Sequence, residues 1–118
     1  MRCFLKRLFI YAELFEKALG QYKKSDEIIE SIESAILQNP NVGAVVAGTG
    51  GVRKFRSEDS ERKKGKRGGF RILYLDLPHV ERTHLLFLYG KNEADIISTE
   101  GKKIIKGLVE DIKEGARL

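Results

Sequence analysis

From Gly65 to Leu77 the chain reads GKRGGFRILYLDL, a cationic, glycine-punctuated stretch that turns within five residues into a nearly unbroken apolar run. Phe70 to Leu77 is rich in branched and aromatic residues and stops at Pro78-His79, so it reads as a buried strand closed by a turn. Arg82 to Tyr89 repeats the pattern, and its LLFLY is apolar enough to be central in a sheet. With a strand at Val52 to Ser57 ahead of them, three strands follow one another through connections within the chain. That order predicts an antiparallel meander.

The part before them is helical in character. Residues 4 to 11, FLKRLFIY, read as a first strand, and Ala12 to Lys24 places Leu14, Phe15, Ala18, Leu19 and Tyr22 at helical spacing. A second helix, capped by Ser25 or Asp26, carries Ile28, Ile29, Ile32, Ala35 and Ile36 as one buried stripe. Asn39-Pro40-Asn41 ends it, because proline biases its predecessor away from helical backbone. The two helices are expected to form an antiparallel hairpin. Ser98 caps a last helix with Ile104, Ile105, Leu108, Val109 and Ile112 on one face. At 118 residues this is an α+β chain with room for one domain, residues 1–118, and one core.

Charge is unevenly distributed. The net charge is +5, yet the stretch from Arg53 to Arg71 alone holds nine Lys/Arg against three acids. One short region carries the cationic character, as expected for a polyanion-binding protein. Glu58 to Gly69 contains no apolar residue and reads as a mobile basic hairpin loop, 58–69.

Several classes are excluded. Cys3 is the single cysteine, so neither an intrachain disulfide nor a cysteine metal cluster forms, and a reducing cytoplasm is the expected location. The N-terminal LFIYA run is faintly signal-like, but Glu13 cuts it short and no small-residue cleavage site follows. No stretch approaches the roughly 20 apolar residues of a membrane span. GTGG at 48–51 precedes a strand rather than a helix and lacks a following GK[ST], so it is no P-loop. His79 and His84 have no carboxylate at a recognisable ligand spacing, and no nucleophile elbow occurs.

What remains is a set of bases on adjacent strands. Alternation in Val52-Arg53-Lys54-Phe55-Arg56 puts Lys54 and Arg56 on one face and Phe55 on the other. Arg71 opens the neighbouring strand. If the two strands pair, Lys54, Arg56 and Arg71 converge on one exposed sheet surface suited to phosphate.

The succession GTGGVRKFR, GKRGGFRILYLDL and LLFLYGKNEADIIS resembles the RelE/ParE superfamily of bacterial type II toxins, and within it the HigB-type branch, from about Asn39 to Ser98. The resemblance implies a RelE-like fold: an N-terminal strand, a two-helix hairpin, a twisted antiparallel sheet of three to four strands and a C-terminal helix. It implies a metal-independent, cofactor-free mRNA interferase that enters the ribosomal A site, cuts the messenger there and stops translation. The expected partners are mRNA, the ribosome and a cognate helix-turn-helix antitoxin of HigA type, with no membrane and no DNA bound by the protein itself. The alternatives are a ParE-like gyrase inhibitor and a catalytically decayed RNA-binding module.

Matched to the family motifs, Lys54, Arg56 and Arg71 are the candidate catalytic cations, with Glu93 and Tyr89 completing the site. Lys54 is the candidate general base, and Glu93 and His84 are the alternatives. Arg53, Lys63, Lys64, Lys66, Arg67, Lys91 and Asn92 are assigned to RNA or ribosome docking. Asn92 and Ser98 stand where some relatives carry arginine and tyrosine, so the chemical roles of those two positions do not transfer.

Overall fold

The computed structural model describes residues 6–57, 69–90 and 98–116. Its elements are β1 (Leu8–Tyr11), α1 (Glu13–Leu19), α2 (Ser25–Gln38), β2 (Ala44–Val45), β3 (Arg53–Ser57), β4 (Phe70–Leu77), β5 (Arg82–Gly90) and α3 (Thr99–Gly115), with a 3-10 turn at Pro78–Val80. No helix among the described residues is long and apolar enough to cross a membrane.

The five strands form one mixed sheet in the order β1-β5-β4-β3-β2. The meander β3-β4-β5 is antiparallel as its order in the chain predicts, but β1 joins the far edge parallel to β5. The expectation of three or four antiparallel strands is therefore corrected. Parallel pairing is possible because α1 and α2 intervene between β1 and the meander, giving the chain length to return in the same direction. Beyond β5, the Asp76 carboxylate of β4 accepts from Arg7 Nε at 2.7 Å and Nη2 at 3.1 Å, and from Thr83 Oγ1 at 2.7 Å. That largely buried ion pair fastens the approach to β1 across β5.

The sheet lies between two apolar layers. Phe15, Leu19, Ile28, Ile32 and Ile36 of α1 and α2 pack with Phe55, Phe70, Ile72, Tyr74, Leu85 and Leu88 on one face. On the other, Val109 of α3, with Ile105, Leu108 and Ile112 half-buried, covers Leu73, Leu75, Leu77, Leu86 and Tyr89. Covering both faces of β4 explains why its sequence is apolar almost throughout rather than alternating. Each such side chain contributes about 1.5–3 kcal/mol by leaving water.

The helices start and stop for local reasons. α1 ends at Gly20, short of the expected Lys24, and the Gln21 and Tyr22 N–H groups turn back to Ala18 and Leu19 carbonyls. At the start of α2 no side chain caps the backbone, contrary to the Ser25 or Asp26 expectation; Asp26 and Glu27 in its first turn complement the helix dipole instead. Its end is as expected: Asn39 Oδ1 accepts from the Asn41 N–H at 3.0 Å, a turn over Pro40 that two Tyr74 hydroxyl bonds, to Pro40 and Val42 carbonyls, pin to the sheet. Ser98 does cap α3, accepting from the Gly101 N–H at 3.0 Å. Ile104, expected in the buried stripe, is 68 % exposed.

One irregularity interrupts the meander. Leu73 pairs with Phe87 while the next residue, Tyr74, pairs with Leu85, so Leu86 is an extra residue in β5 and forms a bulge. Strict alternation through LLFLY would keep Leu85, Phe87 and Tyr89 on one face. The bulge separates them: Leu85 stays with α1 and α2, and Phe87 and Tyr89 turn toward α3.

Candidate nucleic-acid interface

Cross-strand pairing assembles two neighbouring rungs on the α3 face. One runs Lys54–Leu73–Phe87 and the next Arg56–Arg71–Tyr89. Residues directly opposite in an antiparallel pair project to the same side. Each rung therefore reads from a cation on β3 to an aromatic on β5, and neither carries an acid. The two β5 rings stack on each other, centroids 5.9 Å apart and planes at 27°.

The convergence expected of Lys54, Arg56 and Arg71 is present in the register, but their exposure differs. Arg56 is exposed and Lys54 half-buried. Arg71 is only 2 % exposed, and its Nη1 donates to the Gly69 carbonyl at 2.7 Å. The expectation that Arg71 lies on an open surface is corrected: it opens a central strand whose two faces are both covered, so its guanidinium is buried rather than open to solvent.

Arg53 is placed differently from its neighbours. It pairs with Tyr74 on the α1/α2 side, and its Nη1 donates to the carbonyls of Asn41 at 3.1 Å and Gly43 at 3.0 Å. Those bonds give it a structural task in holding the segment before β2. Glu93, Lys63, Lys64, Lys66, Arg67, Lys91 and Asn92, and the 58–68 part of the loop, lie outside the described residues.

His84 is not brought to the rungs. It stands opposite Leu75, two residues along β4 from Leu73 of the nearer rung, about 7 Å, and four from Arg71, about 13 Å. Its Nε2 is buried without a hydrogen-bond partner among the described residues. Burial, reinforced by the nearby Arg82 charge, lowers its pKa. Among the described residues no three His, Cys, Asp or Glu side chains gather as a metal-binding group.

The GTGG motif acts on this face through the backbone. Thr49 is fully buried, its hydroxyl donating to the Val46 carbonyl at 2.7 Å and accepting from the Val52 N–H at 3.2 Å, which closes the turn ahead of β3. Lys113 Nζ of α3 donates to the Gly50 carbonyl at 2.7 Å, joining that turn to the covering helix. Upstream, Gly43 at φ +88° brings the chain so near β3 that a Cβ there would sit 2.2 Å from the Lys54 carbonyl oxygen. These contacts fix where β3, and hence Lys54 and Arg56, lies.

Sequence reasoning missed Phe87. Alternation back from Tyr89, two residues on in an unbroken register, was the signal that could have found it. No protein-family model matches the chain.

Proposed function

We propose that the two rungs are the RNA-contacting surface of a RelE-like, HigB-type toxin, a ribosome-dependent endoribonuclease acting in the cytoplasm and restrained by a helix-turn-helix antitoxin. The observation that supports this reading most is the register that sets Lys54, Arg56 and Arg71 beside Tyr89 on one sheet face. Three cations brought to one sheet face favour a ligand that brings several negative charges.

The chemistry follows from RNA itself. The 2′-oxygen attacks the adjacent phosphorus, the bond from phosphorus to the 5′-oxygen breaks, and a 2′,3′-cyclic phosphate and a 5′-hydroxyl result. One proton leaves the 2′-hydroxyl and one reaches the 5′-oxygen. DNA lacks the nucleophile and is not cut. Arg56, exposed and always charged, is placed to clamp phosphate oxygens as negative charge builds up. Arg71, buried and paired between Arg56 and Tyr89, adds a fixed positive charge. Lys54, half-buried on the adjoining rung, is the described side chain best placed to exchange a proton, while His84 lies too far along the sheet.

Primer extension on a defined message in a reconstituted translation system, with and without ribosomes, tests the proposal. Wild type should produce cuts at A-site codons that require ribosomes, and Lys54→Met and Arg56→Gln should remove them while circular dichroism stays native. Absence of cuts by wild type would overturn it, and inhibition of gyrase supercoiling by the same preparation would replace it with the ParE-like reading.

A further inference from the structure

Between α3 and the β4/β5 edge of the two rungs lies a cavity of about 320 Å³, within the range of small-ligand sites. Leu73, Phe87 and Tyr89 form its sheet wall, Ile104 and Leu108 its helical wall, and Ser98 stands among its lining. Three of these belong to the cationic rungs: Leu73 and Phe87 continue the rung of Lys54, and Tyr89 that of Arg56 and Arg71. The cavity and the cations are therefore two ends of one surface.

We infer that this cavity receives a nucleobase of the RNA strand whose phosphates lie on Lys54 and Arg56, an inference that rests on the RNA-binding reading above. Neighbouring strands are spaced about 4.8 Å apart, so phosphate over β3 and a base over β5 are separated by two spacings, about 9.6 Å, roughly the span of one nucleotide. Single-stranded nucleic acids are held in this way, by cations along the backbone and aromatic faces under the bases. Phe87, half-buried and stacked on the buried Tyr89, supplies the aromatic face. Aliphatic side chains of α3 enclose the base from the other side. At the rim, the Ser98 oxygen already accepts from Gly101 N–H, which leaves its hydroxyl proton to donate to an acceptor on the base edge.

Exposed Ile104 offers a reporter, because the chain has no tryptophan. Binding of a short 2′-O-methyl RNA, which cannot be cleaved, is compared with that of a fully abasic strand of the same length at low ionic strength, using the Ile104→Trp variant. The intact strand should bind on the order of tenfold more tightly and quench the introduced indole, and the abasic strand should bind without quenching. Phe87→Leu, which retains an apolar side chain but removes the ring, should bring the intact strand's affinity down to the abasic value, and Lys54→Met should weaken both strands alike. Equal affinities with no difference in quenching would overturn the base site and leave the RNA reading standing. No binding of either strand would remove the RNA reading and the base site with it.

Discussion

Arg56 and Arg71 are direct cross-strand partners, one exposed and the other 2 % exposed. Like charges directly opposite in a sheet destabilise it by ~0.2–1 kcal/mol. Arg56→Thr, which also favours strand backbone, is expected to raise stability by up to about 1 kcal/mol while abolishing the ribosome-dependent cleavage proposed above. Urea denaturation beside the translation assay checks both halves. A loss of stability in this variant would show that the pair is not repulsive in place.

Two glycines should respond in opposite directions to the same substitution. At Gly43, with φ +88° and the Lys54 carbonyl in the way, Gly43→Ala should destabilise by more than ~1 kcal/mol and displace the strand that carries Lys54. Gly107 lies inside α3, where an added Cβ meets nothing within 4 Å, so Gly107→Ala should stabilise by ~0.5–1 kcal/mol. Paired denaturation midpoints decide the matter.

The Arg7–Asp76 pair, with side chains 6 % and 11 % exposed, is buried enough that removing one partner strands the other. Arg7→Met should cost roughly 1.5–3 kcal/mol. The double variant Arg7→Met with Asp76→Leu should recover much of that loss, because neither charge then remains. Thermal unfolding of wild type, both single variants and the double variant would reveal the coupling.

Alkaline pH should unfold the protein through its phenols. Tyr74 is pushed up to about 12, first by burial, and Tyr11 to about 12 by burial and then by its hydrogen bond to Glu33. In the unfolded chain both ionise near 10. The stability they provide is therefore complete below pH 10 and is lost as pH rises through 12. Tyrosinate absorbance from Tyr11 and Tyr74 should appear only with loss of structure.

His84 acts at the other end of the scale. Its pKa is lowered from 6.5 by burial and by Arg82, so the unfolded chain takes up the proton first as the solution is acidified. Stability should be full above pH 6.5 and decline as pH falls toward the folded-state value. His84→Leu should flatten that slope in urea titrations between neutral and mildly acidic pH, and an unchanged slope would contradict the assignment.

Local pattern revealed the parts of this fold that depend on local forces. The buried isoleucines of α2, the Ser98 cap and the strands β3 to β5 were legible because periodicity and turn residues report them directly. The parallel docking of β1 was not, since nothing in LFIY specifies a partner some seventy residues away. Nor was the two-residue β2, too short to show a period. At the candidate site, alternation showed that Lys54 and Arg56 share a face, but the burial of Arg71 depends on layers that only tertiary packing supplies.

Because Leu86 is supernumerary in the pairing with β4, the strand that carries the aromatics holds a spare residue. Its loss would restore regular alternation and leave Leu85, Phe87 and Tyr89 facing as they do now. Loss of Leu88, by contrast, would swing Tyr89 to the opposite layer and separate it from Arg71. Length change within this strand is therefore channelled to the Leu85-Leu86 pair, whose two possible deletions give one and the same chain, and a one-residue deletion scan from Leu85 to Gly90 should find its tolerated gap there.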